Sequence, residues 1–145
     1  MELIPIKLTI EENEEFMHNP DCQENIHMTI DFFQETGYYP PWIGYFVKKD
    51  NVLVGAAAFK GPPRDNKVEI AYGTFDNFQH RGIGSNICKL LVELSLKTDP
   101  NIDIRARTLP ENTYSNKVLE KNRFELLGVV MDPEDGEVWE WEYNK

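Results

Sequence analysis

Ile83, Ile87, Leu90, Leu91 and Leu94 recur at i, i+4, i+7, i+8 and i+11, which predicts a helix with one buried stripe. Upstream, Ile26, Ile30 and Phe33 follow the same period, and Gly37 supplies a stop, giving a second helix over 22–36. Residues 3–9 alternate, with Ile4, Ile6 and Leu8 on one side, and read as a strand. Thr9 and Glu12 form a capping box that opens a short acidic helix. Strands are predicted at about 42–49 and 52–60, joined by an Asp50-Asn51 turn, then at 67–75 and 102–108. Asn112 caps a short helix running to about Lys121. "RFELLGVV" and "EVWEWEY" make two last strands around the turn "DPEDG". The order is β-α-α-β-β-β-α-β-α-β-β. With no linker or repeat, residues 1–145 read as a single α/β domain with a mixed, mostly antiparallel sheet of about seven strands and four helices.

Composition narrows the function. A net charge of −10 argues against nucleic acid, which needs a basic face, and fits a cationic partner or plain solubility. No apolar run approaches the ~20 residues of a membrane span. The start "MELIPIKLTIEENEE" is acidic where a secretory signal is basic and then apolar. Cys22 and Cys88 are far apart, and two free thiols suit a cytoplasmic protein. His18, His27 and His80 lack metal-ligand spacing, so no metal site is expected.

The chemistry concentrates in "DNFQHRGIGSN", between the strand "KVEIAYGTF" and the helix of Ile83. The first N–H groups of a helix lack partners and carry the positive end of its dipole, so they bind phosphate. Gly82 and Gly84 allow close approach, Arg81 adds charge and Gln79 adds a polar side chain. The spacing is neither a P-loop, with no Lys after Gly84, nor a dinucleotide fingerprint, with Ile87 in the third glycine's place. From the loop alone, a merely structural role for the glycines stays open.

Gln79-His80-Arg81-Gly82-Ile83-Gly84 resembles the Q-x-x-G-x-G signature of the GNAT acetyltransferases, and "ENTYSNKVLEKNRFELLG" resembles that family's later motif. With "PWIGYFV", "LVGAAAFKGPP" and "RTLPEN" in order, the chain resembles most the branch that includes the ribosomal-protein N-terminal acetyltransferases, from about Pro41 to Tyr143. The resemblance implies a GNAT fold and acetyl-CoA as co-substrate. It implies that Gln79, His80, Arg81, Gly82, Ile83, Gly84 and Ser85 hold the pyrophosphate. Thr74, Phe75 and Asp76 would run beside the pantetheine, with a strand amide as oxyanion donor, and Asn112 and Ser115 would touch the cofactor.

The acceptor would be an amine, in a small molecule or at a protein N-terminus. Glu69 would take its proton, since a carboxylate beside an apolar cleft can have a raised pKa; the alternative is an exposed or salt-bridged strand residue. Phe33, Trp42 and Tyr45 would wall the acceptor site or else simply pack. Many relatives carry a tyrosine acid seven residues after the motif asparagine. Leu119 stands there, leaving Tyr114, Ser115 or water, and leaving open a non-catalytic acetyl-CoA-binding regulatory module. The usual glycine before the motif Phe is Arg123. The sequence leaves the oligomeric state, monomer or homodimer, open.

Overall fold

Asp50 and Asn51 both take left-handed backbone, with φ of 50° and 65°. That is the two-residue turn whose twist matches paired strands, and it joins β2 (Gly44–Lys49) to β3 (Val52–Phe59). In the computed structural model, which describes residues 1–145, these strands belong to one seven-stranded sheet. The others are β1 (Glu2–Pro5), β4 (Lys67–Thr74), β5 (Asp103–Thr108), β6 (Phe124–Asp132) and β7 (Gly136–Tyr143). The order across the sheet is β1-β2-β3-β4-β5-β7-β6. All neighbours are antiparallel except β4 and β5.

Three α-helices, α1 (Pro20–Thr36), α2 (Ile83–Thr98) and α3 (Thr113–Lys121), accompany the sheet. The predicted acidic helix forms as a 3-10 turn over Glu11–Phe16. Its capping box is in place: Thr9 Oγ1 accepts from Glu12 N at 3.2 Å and donates to Glu12 Oε1 at 2.9 Å. The first strand is shorter than expected. Asn13 is buried and bonds both main-chain groups of Lys7, at 2.9 Å each, which draws the chain off the sheet after Pro5. The helix expected from residue 22 begins at Pro20, because Asn19 Oδ1 accepts from Asp21 N and proline suits the first helical position.

Each strand pairing sorts side chains between the faces. Gly55 pairs with Thr74 and Phe59 with Ile70, so these share a face. That face carries α2: a Cβ on Gly55 would meet Ile87 Cδ1 at 3.0 Å, and Ile87, Cys88 and Leu91 are fully buried beneath it. On the opposite face Phe46 packs on Phe16, with ring centroids 4.9 Å apart, and Gly44 lies against Thr29 of α1. Burying these apolar faces on both sides of the sheet is the dominant stabilising contribution. No helix is long and apolar enough to cross a membrane.

Candidate active site

The site begins where the single parallel pairing fails. β4 and β5 pair only from Lys67↔Asp103 to Ile70↔Ala106, yet β4 continues to Thr74 and β5 to Thr108. Beyond Ile70 the two strands diverge. Glu69 O accepts from Lys60 N and Phe75 N donates to Val54 O, so odd-numbered main-chain groups of β4 serve β3. By strand alternation, those of Tyr72 and Thr74 turn into the gap between β4 and β5. A cleft lined by Ile70, Tyr72, Ala106, Asn112 and Ser115 fills the divergence. A groove lined by Tyr72, Thr74, Gln79, Gly84, Tyr114 and Ser115 continues from it to α2.

At the far end of the groove, Gly82 caps α2 in the left-handed region (φ 76°, ψ 6°) and no side chain bonds the exposed amides of the first turn. His80 is also left-handed, with φ 66°. Such turns gather N–H groups into an anion-binding concavity. A Cβ on Gly84 would meet Tyr114 Oη at 3.0 Å and Thr74 Oγ1 at 3.5 Å, so glycine keeps the floor of the groove low. Thr74 Oγ1 is buried without a hydrogen-bond partner. Uncapped amides, a low floor and a spare hydroxyl fit a diphosphate.

The other loop residues divide by task. The Gln79 side-chain amide donates to Thr74 O and Asp76 Oδ1, both at 3.4 Å, folding the loop back onto β4. Arg81 is exposed, its guanidinium 5.7 Å above the Phe78 ring. Ile83 is core and does not line the groove. Ser85 Oγ accepts from Asn122 Nδ2 at 3.1 Å, which ties the end of α3 to the start of α2. Phe75 is core and its N–H is engaged by Val54, so of the three residues expected beside a pantetheine Thr74 is the one that lines the groove.

The opposite mouth of the cleft is charged. Glu69 Oε2 lies 3.1 Å from Lys60 Nζ, and Oε1 lies 3.7 Å from Arg107 Nε. Arg107 also pairs with Asp132 and with Glu140, each at 3.1 Å. Glu69 therefore neighbours two cations where an apolar wall was expected. Its ion-pairing and its candidacy as a base concern one carboxylate. Asp132 accepts from the amides of Glu134 and Asp135 and from Arg107, which together hold its carboxyl below the usual range. Glu140 and Glu142, alternating along β7, bind Arg105 at 2.8 and 3.8 Å.

α3 closes the site. Asn112 Oδ1 accepts from Ser115 N at 3.2 Å, and both residues line cleft and groove. Behind them Trp141 Nε1 donates to Thr108 Oγ1 at 2.9 Å, Thr108 Oγ1 donates to Asn116 Oδ1 at 2.6 Å, and Asn116 Nδ2 donates to Pro110 O at 3.2 Å. This buried chain fixes α3 on β5. Leu119 is 1% exposed and contributes only apolar wall.

The three aromatics expected around an acceptor lie away from this cleft and groove. Phe33 stacks on Tyr38, Trp42 packs edge-on against Phe59, and Tyr45 is buried with its hydroxyl donating to Pro41 O at 2.7 Å. All three are spent on packing, and none lines the cleft or the groove. The residues missed by sequence are Tyr72, Lys60, Arg107 and Asp132. Tyr72 was legible as the position two before Thr74 on one strand face. The others depend on sheet pairings over long separations. Tyr72 sits against Cys88; burial pushes the phenol up strongly and the thiol up to about 12.

The family model described as an acetyltransferase (GNAT) domain matches residues 2–125. An uncharacterized N-acetyltransferase of Bacillus subtilis, YjdG, is 31% identical over 107 residues, covering 72% of this chain. The match spans 60% of that relative's length. Among solved structures, the ribosomal L7/L12 alpha-N-protein acetyltransferase RimL in complex with coenzyme A superposes with a TM-score of 0.68 at 18% identity, covering 97% of each chain. A chimera of the spermidine N-acetyltransferase SpeG from Vibrio cholerae and hSSAT gives a TM-score of 0.73 at 13% identity, covering 99% of this chain and 95% of the other.

Proposed function

The chain belongs to the GNAT acetyltransferase family, and on that premise we propose that it transfers an acetyl group from acetyl-CoA to a primary amine by direct attack. The observation that carries this reading is the continuous path from the β4–β5 divergence to the uncapped start of α2. When bound, acetyl-CoA supplies the thioester carbonyl that an amine attacks. The chain's residues do the rest. The first-turn amides of α2 hold the diphosphate. Main-chain N–H groups of Tyr72 and Thr74 line the path of the arm and are the candidate donors to a carbonyl oxygen in the cleft. Glu69 accepts the proton of the incoming amine, directly or through water. As the new C–N bond forms and the C–S bond breaks, Ser115, where cleft and groove meet, relays a proton from solvent water to the thiolate, taking one proton as it gives one, in place of the acid that Leu119 lacks.

The acceptor enters by the mouth bearing Asp132 and Asp135, with Glu69 behind the lining residues Lys60 and Arg107 that it pairs with. With a net charge of −10, the chain attracts cationic acceptors, such as a basic protein N-terminus or a polyamine. Incubation with acetyl-CoA and a panel of amines, following release of free thiol, tests the reading. Amine-dependent thiol release supports it. Coenzyme A binding with no release for any amine favours a second reading, an acetyl-CoA-binding regulatory module, which buried Leu119 and ion-paired Glu69 support.

A further inference from the structure

Two hydroxyls converge on the first turn of α2 from opposite walls, and neither belongs to the loop motif. One is Thr74 Oγ1, on β4, buried and without a partner. The other is Tyr114 Oη, on the first turn of α3. A Cβ on Gly84 would lie 3.0 Å from Tyr114 Oη and 3.5 Å from Thr74 Oγ1, so both hydroxyls flank the same point above the helix start. The threonine is held rigidly by the sheet. The tyrosine is 46% exposed, and its ring stands edge-on to His80 at 6.4 Å between centroids. One wall is fixed and the other can move.

We infer that Tyr114 is a clasp: its hydroxyl and that of Thr74 donate from the two sides to the diphosphate of the acyl donor, trapping it against the α2 amides. The inference rests on the acyl-transfer reading above and adds to it two ligand-binding side chains. The chemistry favours phosphate over the neutral pantetheine arm at this point. Both groups can act as donors, the helix terminus beneath them is positive, and hydrogen bonds to an anion are the strong kind. A methyl on Gly84 would press on the Tyr114 hydroxyl and crowd the point that both hydroxyls flank.

Titration calorimetry with coenzyme A and with pantetheine, which lacks the diphosphate, tests the clasp. Tyr114→Phe and Thr74→Val remove the hydroxyls and keep the shapes. Each is expected to weaken coenzyme A binding by roughly tenfold or more, the worth of a hydrogen bond to a charged group, and Tyr114→Phe to leave pantetheine binding unchanged. Unaltered coenzyme A affinity in both variants overturns the clasp while the acyl-transfer reading stands. Equal loss for coenzyme A and pantetheine also overturns it, since the hydroxyls would then act on the arm. A wild-type protein that binds no coenzyme A sinks both.

Discussion

Lys60 and Glu69 are joined twice: Lys60 N donates to Glu69 O at 2.9 Å, and Lys60 Nζ lies 3.1 Å from Glu69 Oε2. The backbone bond fixes the strand pairing, and the ion pair fixes the carboxylate beside the cleft. Replacing Glu69 with Gln keeps the shape and removes the base. Turnover is expected to fall by about 100-fold or more, with coenzyme A affinity retained. Steady-state rates beside binding isotherms check this. An unchanged rate would assign the proton to another acceptor.

Ser115→Ala separates the leaving-group step from binding. The expected result is a turnover loss of about tenfold with amine acceptors, at the low end for a general acid, and an intact far-UV spectrum, since the Asn112 cap uses the Ser115 backbone. Thiol release measured across pH reads it. A profile identical to wild type would hand that proton to water.

Thr108 stands between Trp141 and Asn116 as acceptor to one and donor to the other. Thr108→Val strands both groups in the interior. About 1–3 kcal/mol of stability should be lost for each group left without a partner. Chemical denaturation measures it. A loss below a few tenths would mean that the buried chain contributes little to holding α3.

Acid should act through Asp132. Its folded pKa is depressed, first by the amides of Glu134 and Asp135 and then by Arg107. The stability it contributes is therefore fully present above the ordinary carboxylate pKa and lost as pH falls through the lowered one. Melting temperatures of wild type and Asp132→Asn should differ at neutral pH and converge in acid. A gap that persists in acid would contradict the assignment.

Cys22 and Cys88 are 0% exposed, and burial pushes their thiols up to about 11 and about 12. Neither thiol should react with a disulfide reagent in the folded protein, and both should react once it is denatured. Fast reaction of the native protein would show that α1 or α2 opens readily.

What the sequence revealed and what it withheld follow one physical divide. Short-range signals were legible. The period of Ile83 to Leu94 marked α2, Asn112 marked the start of α3, and Asp50-Asn51 marked a turn. Departures arose where a group outside the repeating pattern captured a residue. Asn13 ended β1 early by capturing Lys7. Trp42 packs on Phe59 and the Tyr45 hydroxyl donates to Pro41 O, contacts that no periodicity announces. The Glu69 environment required knowing that Arg107 lies on the next strand, 38 positions later in the chain. Arg123 illustrates a milder case. It stands where the family usually has glycine and takes left-handed backbone, φ 69°, with its guanidinium 5.8 Å above the Tyr143 ring.

The parting of β4 from β5 has an evolutionary consequence. Much of the recognition surface it exposes is peptide bond, which every residue except proline supplies alike. Apart from Glu69, Thr74, Arg107 and Thr108, side chains along those strands can change without erasing the donors. A lineage can thus exchange over four-fifths of its residues, as the 18% and 13% identities to superposable structures illustrate, while the same main-chain framework persists. The rim, where Lys60, Asp132 and Asp135 stand, is by contrast made of side chains, and its charge changes with each substitution.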